Sequence, residues 1–62
     1  MTTPQTFTER SQALRAEAAQ QYAKFDRLAD RGYNTAAVRA LHEGRRLDAA
    51  AAKLEALAGE VA

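Results

Sequence analysis

The chain has 62 residues, with nine Lys and Arg against eight Asp and Glu and a formal net charge of +1. That length allows one small domain, and so even a charge balance marks out no partner class by bulk electrostatics. Cysteine is absent, which excludes disulfides and thiolate metal sites. No apolar run has the length of a membrane span, and the N-terminus lacks the basic-then-apolar layout of a secretion signal. The expectation is a cytoplasmic chain with no membrane association. Hydrophobic residues make up 47%, but sixteen of them are alanines. A chain with so few large apolar side chains gains little from burying them alone, so a partner or self-association is expected.

In chain order, residues 1–6 read as a disordered polar lead. Thr6-Phe7-Thr8-Glu9 then fits a capping box, with Thr6 as N-cap and Glu9 at N3. No Gly or Pro follows until Gly32, and good helix formers dominate, so a helix is predicted over 7–31. Its apolar stripe is Phe7, Ser11, Leu14, Ala18, Gln21, Phe25 and Leu28. Gly32-Tyr33-Asn34 is the predicted turn. Gly32 suits the left-handed position after a helix, Tyr33 can touch Leu28, and Asn34 can cap the next helix with Tyr33 and Val38 as a hydrophobic staple.

The second helix is predicted over 35–61. Ala37, Gly44, Ala51 and Ala58 recur every seven residues, as do Ala40, Leu47, Leu54 and Val61. Folding the two stripes together antiparallel pairs Leu28 with Ala37, Phe25 with Ala40, Gln21 with Gly44 and Ala18 with Leu47. Leu14 then meets Ala51, Ser11 meets Leu54 and Phe7 meets Ala58. Every layer sets a larger side chain against a smaller one, as close packing requires. On the flanks Arg15 faces Asp48, Tyr22 faces Leu41, Lys24 faces Glu43 and Arg10 faces Leu57. The fold expected over 7–61 is therefore all-α, an antiparallel two-helix hairpin of the Ala-rich coiled-coil kind, dimerising to a four-helix bundle.

A break at Gly44 gives a different fold. Arg31-Gly32-Tyr33, Val38, Ala40-Leu41 and the segment from Asp48 to Leu54 loosely resemble a ubiquitin-associated domain, which implies three helices and a binding role. That family carries Met where this chain has Arg31. The continuous hairpin resembles, in length and core layering alone, the plasmid copy-number Rop-type dimers, which bind RNA. No RNA-contact motif matches, and no residues carry over.

Chemistry-bearing motifs are few. His42 has no ligand partner at i+3 or i+4 and falls on an outer face. Ser11 lies in the packing stripe with no His or Asp beside it. Asp26 and Asp30 sit on an outer face, and no Gly-rich phosphate loop exists. The chain reads as no enzyme, with no metal and no cofactor. Arg39, Arg46 and Lys53 recur every seven residues on the outer side of helix two, a row that could track phosphates. Ala19, Tyr22, Val38 and Leu41 remain as an apolar edge once the stripes have paired, which points to a protein partner or a second copy. The expected function is a non-catalytic protein–protein interaction module: a small adaptor, regulator or inhibitor. The alternative is a nucleic-acid-binding hairpin dimer that uses the basic row.

Overall fold

A computed structural model describes residues 6–61. It contains two helices, α1 (Phe7–Asp30) and α2 (Asn34–Val61), packed against each other as a hairpin. Phe7 to Asp30 is helical because nothing interrupts it and because its start is capped. The Thr6 side chain accepts from the Glu9 N–H at 3.1 Å, one half of the expected capping box. Thr6 thus has a defined place, and the rest of the expected disordered lead, residues 1–5, lies outside the described residues.

The turn follows from Gly32, whose φ of +83° is open to glycine at no steric cost. The Gly32 N–H donates to the Ala29 carbonyl at 3.0 Å, and the Tyr33 N–H to the Leu28 carbonyl at 2.9 Å. These are the two bonds of a Schellman motif, as the sequence implied. Helix bounds shift slightly from expectation. α1 stops at Asp30 with Arg31 as its C-cap, and α2 starts at Asn34 rather than Thr35. The Tyr33 carbonyl accepts the first helical bond of α2, from the Ala37 N–H at 2.9 Å. Tyr33 therefore stands at the N-cap position expected of Asn34. Its backbone joins both helix ends; the two residues of the expected staple, Tyr33 and Val38, are 58% and 46% exposed.

α2 passes through Gly44 without a break, so the three-helix arrangement of a ubiquitin-associated domain is not formed. Each seam residue whose side chain is described is buried or half-buried; Val61, the last rung, lies outside the described side chains. The buried ones are the small ones: Ser11, Ala18, Ala37, Ala40, Gly44 and Ala51. Phe7, Leu14, Phe25, Leu28, Leu47 and Leu54 are only half-buried, because two helices cannot surround a long side chain.

Contacts across the seam define two faces. Arg15 and Tyr22 follow Leu14 and Gln21 along α1, and Asp48 and Glu55 follow Leu47 and Leu54 along α2. Hydrogen bonds among these four place them together on one face. At about 100° per residue, the residues that precede the seam positions fall on the opposite face. They include Arg10, Glu17, Lys24 and Arg27 on α1 and Arg39, Glu43, Arg46, Lys53, Leu57 and Glu60 on α2.

Candidate interaction site

Tyr22 organises the first face. Its ring lies on Gly44, where a Cβ would stand 2.7 Å from the ring Cε1. Tyr22, and not the expected Gln21, therefore fills the space left by the missing side chain. Glycine lets the ring cross the seam, and its hydroxyl then reaches α2 and donates to Asp48 Oδ2 at 2.7 Å. Arg15 donates to Asp48 Oδ1 at 3.1 Å, as expected from the register. It also forms a fork with Glu55, at 2.8 and 3.0 Å, which sequence reasoning missed. Glu55 stands seven residues beyond Asp48 in the same row, and that spacing was the available signal.

The protonation states follow from these bonds. Asp48 is held below the ordinary carboxylate range, first by the Tyr22 hydroxyl and then by the Arg15 guanidinium. The Tyr22 phenol is pushed up because its proton is held by the Asp48 carboxylate and because the group is partly desolvated. The Arg15 guanidinium is pushed up by Glu55 and then by Asp48. All four groups keep solvent contact, so this network specifies register more than it adds stability.

The four residues expected at an interface have different environments. Ala19 and Val38 are exposed, and Tyr22 and Leu41 are half-buried. Tyr22 is engaged within its own chain through ring and hydroxyl, leaving Val38 as the largest free apolar group of the four. Val38 also lines a shallow depression with Asn34, Thr35 and Arg39.

Arg39, Arg46 and Lys53 are all exposed. Arg46 donates to Glu43 at 2.6 Å, one turn away in its own helix. Glu43 thus takes this partner instead of the expected Lys24, since an i,i+3 neighbour needs no reach across the seam. Leu57 is 42% exposed on the same side as Arg10. His42 is exposed, and the buried Ser11 hydroxyl donates to the Thr8 carbonyl at 2.9 Å, which makes it a satisfied packing residue. Among the described residues no cluster of three or more His, Asp or Glu is placed to hold a metal, and no helix is long and apolar enough to cross a membrane. Comparisons with protein-family models, with curated proteins and with solved structures find no match.

Proposed function

We propose that the chain is a non-catalytic protein–protein interaction module, a small adaptor, regulator or inhibitor. Its docking edge is Ala19, Tyr22, Val38 and Leu41, and through that edge it also pairs with a second copy to complete a four-helix bundle. One observation supports this reading above the others. The buried core consists of alanines, Ser11 and Gly44, while each Phe, Leu and Tyr of the seam and its flanks stays partly wet. Apolar surface of that kind on a two-layer hairpin gains by being covered. Val38 is 46% exposed and lies one turn from the half-buried Leu41, so the two form a continuous strip. Tyr22, already held by Gly44 and Asp48, needs no further ordering, which lowers the cost of binding.

Sedimentation velocity tests the self-association directly. Wild type is expected as a dimer at tens of micromolar chain, and Val38→Glu as a monomer with unchanged helical circular dichroism. Wild type that stays monomeric throughout this range removes the bundle from the proposal.

A further inference from the structure

The hairpin sorts its charges between its two faces, and this is legible only once the faces are fixed. On the Tyr22 face, Arg15 is absorbed by Asp48 and Glu55. The opposite face holds Arg10, Lys24 and Arg27 from α1 and Arg39, Arg46 and Lys53 from α2, six of the nine Lys and Arg. All six are exposed. Only three carboxylates, Glu17, Glu43 and Glu60, share that side, and Glu43 is occupied by Arg46. Among the described residues the other five cations are in no ion pair. Arg31, also exposed, extends the group at the turn.

We propose that this face binds the phosphate backbone of duplex nucleic acid without reading its sequence. The α2 row alone was visible as a seven-residue repeat; the fold adds a second row from α1. Helix axes lie about 8–10 Å apart in such a pair, so the face carries two parallel cationic ridges. From Arg39 to Lys53 the row runs roughly 21 Å, and from Arg10 to Arg27 roughly 26 Å, at 1.5 Å per residue. Both fit within one duplex turn of about 34 Å.

The charge carriers are mostly arginines, whose planar fork suits phosphate oxygens. Neither cationic row carries an aromatic side chain on which an unpaired base could stack: Tyr22 is on the other side, Phe25 is in the seam, and Tyr33, 58% exposed, stands at the turn beyond Arg31. Single strands are therefore disfavoured relative to a duplex. A membrane surface is disfavoured too, because the large exposed apolar residues near these cations, Val38 beside Arg39 and Leu57 across from Arg10, stand near opposite ends of α2 and form no continuous stripe. This face meets the Val38 edge only at Arg39, which borders the same depression as Val38, and the charge argument does not depend on that edge.

Fluorescence anisotropy of the full chain with a labelled 20-bp mixed-sequence DNA duplex, and with the matching RNA duplex, tests the proposal. Binding to either duplex is expected at about 10⁻⁴–10⁻⁶ M near physiological salt, with a log–log salt slope of roughly −3 to −5. Two paired variants, Lys24→Glu with Arg27→Glu and Arg39→Glu with Lys53→Glu, are each expected to weaken binding at least tenfold. Each should also flatten the slope by about 2. Arg45→Glu, away from this face, is expected to stay within twofold. A slope shallower than about −1 overturns the proposal. So does equal loss in Arg45→Glu, or binding to poly-glutamate or phosphatidylserine vesicles as tight as to the duplex. Circular dichroism checks that the variants fold. If they do not, the wild-type salt slope and the preference over poly-glutamate decide the matter alone.

Discussion

The ring of Tyr22 lies so close to Gly44 that a Cβ there would stand 2.7 Å from Cε1 and 3.0 Å from Cδ1. Glycine in mid-helix is usually a weakness of about 1 kcal/mol relative to alanine. Here it is the floor on which an aromatic from the other helix rests, and the Tyr22 hydroxyl continues to Asp48 at 2.7 Å. The missing Cβ of Gly44 and the placement of the Tyr22 ring are one physical fact seen from two helices.

Gly44→Ala is accordingly expected to destabilise the hairpin. Overpacking costs about 1–3 kcal/mol and the gain in helix propensity returns about 1, for a net loss near 1 kcal/mol. In a Tyr22→Ala background the sign reverses, because only the propensity gain remains. Thermal unfolding of the four chains gives the coupling. Additive effects would show that the ring does not rest on residue 44.

The Tyr22–Asp48–Arg15 network gives stability a defined pH window. Asp48 titrates lower in the hairpin than in the unfolded chain, so its contribution is present above the ordinary carboxylate value and is lost as pH falls through the lowered one. The Tyr22 phenol titrates higher when folded, so its contribution is full below the ordinary phenol value and is lost as pH rises through the raised one. The thermal midpoint should be flat around neutrality and fall at both extremes. Tyr22→Phe should lower the plateau and remove most of the alkaline limb attributable to this phenol; a limb identical in the two chains would contradict the hydrogen bond.

Ala51 is 0% exposed in the seam. Ala51→Leu is expected to cost about 1–3 kcal/mol by overpacking, while Ala56→Leu, at an exposed position of the same helix, should change stability by less than about 0.5 kcal/mol. Denaturant unfolding of the two variants compares them on one scale. Equal effects would mean that helix separation is not set by small residues.

Gly32 carries the left-handed turn with φ +83° and open space around it. Gly32→Ala is expected to cost about 1–2 kcal/mol from backbone strain alone, and Gly32→Asn less, because Asn tolerates that conformation. Thermal midpoints in the order Gly, Asn, Ala are the expected readout.

By itself the sequence determined the two helices, the Schellman turn at Gly32 and the seam residues. All three rest on local causes: a capping Thr6, an uninterrupted run of helix formers, and apolar or small residues spaced three and four apart. The Arg15–Asp48 pair was legible for the same reason, since one antiparallel register fixes every flank. Only the tertiary structure decided that Tyr22 rather than Gln21 covers Gly44, that Arg15 also takes Glu55, and that Glu43 takes Arg46 over Lys24. Those choices belong to long side chains that can reach several partners, and the distance between the helices settles which they meet. The same packing put the cations of α1 beside those of α2, which no periodicity within one helix could reveal.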